Sequence, residues 1–443
     1  MKFEMKRIAT ILFFTLIFAG SLFANNVQTK ESDDNRFPFS IKAYPFRGMY
    51  LDKNSHYTKF GPIFPAGVHM GLEFPSLQQR PWQQYLGNPT VGIGLSWLDF
   101  GKSYEPGAAK LGMGIAVYPY ILLDAIDSEH FQMRFKVAGG AGFVSEHWYT
   151  QEDQDPDHYY ELTVNTIFGC TLNAYLNAGI NLNVPITRYL AFGGEFGFFH
   201  MSNGRTCMPN IGVNSLYGSV GVTATFNSDV EKKPVRFPDL PYRWSLNITG
   251  AVGAQKSAIA DPHRFMISTF HTGAIYHATN WYGIGAGLDV FYNGAIDNNT
   301  DRSLYRKRPE GYSQLDKVRA GIALNNEFKF GLVTAIVDWG FYFFNPSRHY
   351  YDNDHPIYGY GKRPLFYKND GAGTDEAFHY IRLGAKCRVW DNMYVKMAMK
   401  CHLHIAEYIE FGIGYQIPFF KKSYREAGHG KIFHHRRDWY NKL

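Results

Sequence analysis

Residues 189–202 read Tyr-Leu-Ala-Phe-Gly-Gly-Glu-Phe-Gly-Phe-Phe-His-Met-Ser. The even positions are Phe192, Gly194, Phe196, Phe198, His200 and Ser202, and the odd ones Ala191, Gly193, Glu195, Gly197 and Phe199. One side is bulky and apolar almost to its end. The other is mostly small and holds one carboxylate. Side chains two apart share a face only in a strand, so this stretch is a strand between two different surroundings. Residues 214–226 repeat the pattern: Leu216, Val220, Val222 and Phe226 fall on one face, and Ser215, Tyr217, Ser219, Thr223 and Thr225 on the other. A secreted sandwich alternates in the same way, so composition and connections must separate it from a barrel.

Segments of this kind recur along the chain. Their cores lie near 40–50, 63–74, 89–100, 110–125, 131–148, 167–182, 189–202 and 214–226. After a polar break at 227–240 they resume near 243–253, 265–278, 281–292, 317–330, 332–344, 378–389, 393–404 and 407–419. In the second half the links alternate between long (293–316, 345–377) and tight (Thr279-Asn280, Gly331, Asp391-Asn392). Long loops at one end and short turns at the other are the habit of outer-membrane barrels. The stretch PSLQQRPWQQYLGN at 75–88 is a long link where a short one is due. Aromatic residues make up 17% of the chain, with 44 Gly, and charged residues 19%. Soluble domains carry about 25% charge. The reading is an all-β chain, an antiparallel transmembrane up-and-down β-barrel of 12–16 strands, with two linked eight-stranded barrels as the alternative.

The first residues fit export. Lys2, Lys6 and Arg7 precede an apolar run at 8–18, and Leu22-Phe23-Ala24 offers a small residue for cleavage. This order marks residues 1–24 as a signal peptide. The remaining divisions are a barrel segment at 36–227, a second at 241–420 and a basic tail at 421–443, which could touch anionic lipid or polymer or be a solvated extension. A net charge of +6 is too modest to suggest nucleic acid. Cys170, Cys207, Cys387 and Cys401 form no CxxC pair, so neither a metal nor a cofactor is expected. Cys387 and Cys401 could face each other on neighbouring strands, or stay free. GGEFGFFHMSNG and GIGAGLDVFYNG share a Gly-rich, aromatic, Asn-Gly ending, a weak hint of duplication.

The chemistry gathers at 200–214, His-Met-Ser-Asn-Gly-Arg-Thr-Cys-Met-Pro-Asn-Ile-Gly-Val-Asn. His200 and Ser202 project on one side of a strand end, and Asn214 opens the next strand on the same face. A hairpin that set Asn214 opposite His200 would assemble a nucleophile, a base and an orienting amide. Asn203, Gly204 and Asn210 lie in the loop between, where amide and backbone N–H groups can meet an oxyanion. By parity this strand runs outward, which puts its end near the outer leaflet. The same residues also fit plain strand-end chemistry, a belt histidine and an Asn-Gly turn.

His200-x-Ser202-Asn203-Gly204, followed by Pro209-Asn210 and a polar residue at 214, resembles the lipid A 3-O-deacylase (PagL-like) family of outer-membrane acyl hydrolases. The likeness covers roughly 36–227 and is specific across 200–214. It implies an eight-stranded barrel with Ser202 as nucleophile, His200 as base, and Asn203 and Asn210 at positions linked to the oxyanion hole. It implies an esterase acting on lipid A (lipopolysaccharide) in the outer membrane of a Gram-negative bacterium, among outer-membrane lipids. Two departures stand out. The family's acidic member falls at Asn214, an amide, and the chain runs on for a second set of strands. Glu195 offers a carboxylate nearby, but its odd position points it inward. The rival readings are a porin-like or binding barrel with a degenerate site, and an enzyme of other lipids such as a phospholipase or acyltransferase. If the export reading is right, N-terminal sequencing of outer-membrane protein should begin at Asn25, and recovery as soluble periplasmic protein would refute it.

Overall fold

A strand whose faces differ must pair on both edges, and sixteen such strands do so here. The computed structural model describes residues 37–51, 63–77, 81–101, 110–148, 165–227, 242–256, 263–297, 314–345, 378–402 and 405–419. The expected signal segment 1–24 and tail 421–443 lie outside these residues, as does most of the 227–240 break. The first group is β1 (Phe39–Tyr50), β2 (Ala66–Phe74), β3 (Thr90–Asp99), β4 (Met113–Asp127), β5 (Gln132–Val144), β6 (Leu172–Pro185), β7 (Leu190–Ser202) and β8 (Val213–Phe226). The second is β9 (Trp244–Gln255), β10 (Phe265–His277), β11 (Tyr282–Asn293), β12 (Val318–Phe330), β13 (Val333–Phe344), β14 (His379–Trp390), β15 (Met393–His402) and β16 (Ile405–Phe419).

The single barrel of 12–16 strands is corrected by the pairing. β1 finds β8, with Phe39 opposite Phe226 and Tyr50 opposite Ser215, and β16 finds β9, with Phe419 opposite Trp244. Each set of eight antiparallel strands thus closes on itself. The physical reason is that alternation looks the same at any strand number. Closure is decided by which distant edges meet. The untidy link at 75–88 contains a short helix, Pro81–Tyr85. Among the described residues no helix is long and apolar enough to cross a membrane. Cys387 lies opposite Val395 and Cys401 opposite Ile381, so these two thiols do not face each other, and both are free. The two Gly-rich stretches that hinted at duplication end β7 and β11, which are not counterparts in strand order.

An eight-stranded barrel has an interior that side chains alone fill. In the first barrel Tyr118, Tyr120, Tyr175, Phe199 and Tyr217 occupy it. A Cβ at Gly94 would strike the Tyr118 ring, so that glycine is the niche the ring needs. Charged groups fill the rest. Lys42 meets Glu73 at 2.9 Å, Lys136 meets Glu195 at 2.7 Å, and the Tyr217 hydroxyl also donates to Glu195. In the second barrel Arg382 reaches Asp289 at 2.8 Å, Asp338 at 3.1 Å and Glu410 at 3.2 Å. Arg319 and Lys400 both pair with Glu407. Water does not reach Arg319, Arg382, Lys400 or Glu407, each 0% exposed. The outer walls are apolar, with Phe196 61%, Val220 59% and Ile413 61% exposed.

Among the described residues, lumens packed in this way should leave no path for ions. Protein reconstituted in planar lipid bilayers should show no steady conductance above the bare bilayer. A persistent porin-sized current would contradict the packed interiors.

Candidate functional site

The site grows from the β7–β8 hairpin. On β7 the residues that face out are Phe192, Phe196, Phe198 and His200, while Glu195 and Phe199 are buried within. On β8 the outward set contains Leu216, Val220 and Val222, with Asn214 at its start. The register sets Asn214 directly across from His200. Directly opposed side chains are the ones that touch across an antiparallel pair. His200 Nδ1 lies 2.8 Å from Asn214 Oδ1, and His200 Nε2 lies 2.8 Å from Ser202 Oγ.

These two contacts set the proton positions. An amide oxygen only accepts, so Nδ1 carries the ring proton and donates it. Nε2 is then the lone-pair nitrogen, and Ser202 Oγ–H donates to it. A hydroxyl hydrogen-bonded to an oriented imidazole base is the arrangement of a serine nucleophile. Glu195 is no substitute for the missing acid. It sits in the lumen with Lys136 and Tyr217, on the opposite face of the strand.

The loop after Ser202 is tightly folded. Gly204 and Arg205 both take left-handed backbone angles, φ +59° and +62°. Asn203 donates its backbone N–H to Asn210 Oδ1 at 2.9 Å, and its side-chain Oδ1 accepts from the Cys207 N–H at 3.2 Å. Asn203 Nδ2 is buried and has no hydrogen-bond partner among the described residues. Ser202 and Asn203 are 3% and 2% exposed, although Ser202 shares the outward face of the exposed Phe196. The second barrel meets this loop through Lys256, Arg264 and Ile409. Sequence reasoning missed these three. They lie far along the chain and carry no local motif. Among the described residues no group of His, Cys, Asp and Glu could hold a metal ion.

Comparison with known families gives two adjoining matches. The family described as Lipid A 3-O-deacylase (PagL) matches residues 66–223. Acyloxyacyl hydrolase, C-terminal domain, matches residues 244–360 and 365–421. No curated protein matches the chain. Among solved structures, the chain is similar to Neisserial surface protein A, with 7% identity and a TM-score of 0.26, over 42% of this chain and 95% of that one. It is also similar to the NanC porin (8%, TM-score 0.14, 85% of this chain and 98% of that one). A third likeness is to the toluene transporter TodX of P. putida (9%, TM-score 0.16, 90% and 92%). At such scores these likenesses say nothing of chemistry.

The hydrogen-bonded row makes a prediction that needs no substrate. A fluorophosphonate probe should label Ser202, and His200→Ala should abolish the labelling. Asn214→Leu should slow it, because nothing then orients the ring, while Asn214→Glu should keep or raise the rate. Equal labelling rates for well-folded wild type, Asn214→Leu and Asn214→Glu would remove residue 214 from the site.

Proposed function

Since this chain belongs to the lipid A 3-O-deacylase and acyloxyacyl hydrolase family, we propose that it is an outer-membrane esterase that hydrolyses an ester-linked acyl chain of lipid A. The observation that carries this is the unbroken row Ser202 Oγ, His200 Nε2, His200 Nδ1, Asn214 Oδ1 on an outward strand face. An apolar wall with one polar row near its end suits a substrate that arrives from the membrane itself.

The chemistry runs as follows. Ser202 Oγ attacks the ester carbonyl carbon as its proton passes to His200 Nε2. The carbonyl oxygen becomes an oxyanion, and in this reading it takes a hydrogen bond from Asn203 Nδ2–H, a buried donor with no partner among the described residues. The imidazolium then protonates the departing sugar alkoxide as the C–O bond breaks, leaving the acyl group on Ser202. Water, deprotonated by His200, releases the fatty acid and restores Ser202. Asn214 keeps the ring in the right tautomer throughout. It lacks the charge with which a carboxylate would stabilise the imidazolium, so the enzyme should be slower than one with an acid at 214.

In this reading residues 1–24 are removed on export, and both barrel segments, 36–227 and 241–420, lie in the outer membrane of a Gram-negative bacterium. The substrate is lipopolysaccharide, and the surrounding partners are outer-membrane lipids. The test is the mass profile of lipid A from cells with and without the protein, with phospholipids followed in parallel. Lipid A should lose one ester-linked fatty acid while phospholipids stay intact. Ser202→Ala and His200→Ala should each stop the loss, singly as completely as together. Full activity in Ser202→Ala would refute the nucleophile, and phospholipid cleavage instead would move the enzyme to another lipid class.

A further inference from the structure

The loop that follows Ser202 is held by a barrel other than its own. Lys256, just past β9, donates its backbone N–H to the Arg205 carbonyl at 3.1 Å. Arg264, just before β10, donates Nε–H to the Thr206 carbonyl at 3.1 Å and Nη2–H to Cys207 Sγ at 3.3 Å. Ile409 of β16 stands over Gly204, where a Cβ would come within 2.6 Å of Cγ1. These contacts bracket the left-handed pair Gly204 and Arg205. A non-glycine residue keeps such a backbone only where its surroundings impose it.

A short relay leads from Arg264 to the chemistry. Arg264 fixes Thr206 and Cys207. The Cys207 N–H fixes Asn203 Oδ1. With its oxygen held, the Asn203 amide can turn Nδ2 only one way, and that nitrogen is a buried, unpartnered donor on the residue that follows Ser202 in the chain. Buried amide donors are rarely left unpaired, because the lost hydrogen bond with water is not replaced. A position that awaits an incoming acceptor accounts for this one.

We propose that Arg264 is a positioning residue for the oxyanion donor Asn203, so that the second barrel completes the catalytic site of the first. The inference rests on the reading of Ser202 as the nucleophile of an esterase. It gives the second barrel a task in the reaction, carried out through the loop that follows Ser202. Arg264 is exposed, so its replacement removes no side chain from either packed interior.

The experiment is a double-mutant cycle on full-length, folded protein, with p-nitrophenyl laurate in detergent micelles as probe. Unboiled gel mobility checks the fold of each variant. Asn203→Ala should lower kcat about a hundredfold, the usual scale for one oxyanion donor. Arg264→Ala should lower kcat about tenfold with KM unchanged, on the scale of a donor displaced by a fraction of an ångström. Arg264→Lys should recover part of that loss, since one carbonyl contact can be remade. The double variant should be no slower than Asn203→Ala alone, because a residue that acts through Asn203 has nothing to position once it is gone. If Arg264→Ala keeps wild-type kcat, or the two losses multiply, the inference is overturned. If Asn203→Ala keeps full kcat while Ser202→Ala is inactive, the donor assignment falls and Arg264 with it. Full activity in Ser202→Ala would instead overturn the esterase site itself. Should Arg264→Ala lose the folded band, Arg264→Gln carries the same comparison.

Discussion

Closure at eight strands leaves a lumen that side chains fill completely, and that limit governs the rest of the molecule. A wider ring would have held water and offered an inner surface for ligands. Here the inside is occupied by rings and ion pairs. Any chemistry on a membrane lipid must then be built on the outer wall or in the loops. The Ser202–His200–Asn214 row stands where the wall meets a loop, at the end of β7. A rigid ladder sets its register there and a folded loop supplies donors.

The lumen charges act on register more than on strength. Arg319, Arg382, Lys386, Lys396 and Lys400 face Asp289, Glu327, Asp338, Glu407 and Glu410, and every cation has a carboxylate. Buried pairs of this kind repay little more than their desolvation. They do, however, forbid a shifted ladder. A slip of one residue would carry Glu195 or Arg382 onto the apolar outside and turn Phe196 or Leu383 inward. The charges thus single out one alignment among several that backbone hydrogen bonding alone would accept.

Much of the local structure was legible in the chain. The alternation at 189–202 and 214–226 became β7 and β8 almost residue for residue. The spacing of His200, Ser202 and Asn214 was readable because a hairpin is local: a short loop between two strands leaves few registers. Closure was not readable, since the pairing of Phe39 with Phe226 joins residues at opposite ends of the first barrel. The polar break after Phe226 was visible, but a break also suits a long loop of one larger barrel. Nothing in their local sequence pairs Lys42, Glu73, Lys136 and Glu195 with one another. Only four strands in register make them partners. Arg264 was the least legible of all. It lies in a plain link, and its relation to Asn203 exists only once both barrels stand side by side.

The amide at position 214 has a consequence for how this protein is made. At rest the row holds a neutral hydroxyl, a neutral imidazole and a neutral amide. A carboxylate at 214 would add a full charge to an apolar wall before any substrate arrived, and charges on the lipid side of barrels are costly to insert. In the proposed outer-membrane reading, a neutral row would enter hydrocarbon during assembly with only dipoles to desolvate. What is given up appears later, when the imidazolium forms without a counter-charge. On the proposed function, residue 214 would divide one electrostatic cost between two moments in the protein's life, and an amide there would favour the moment of insertion over the moment of turnover.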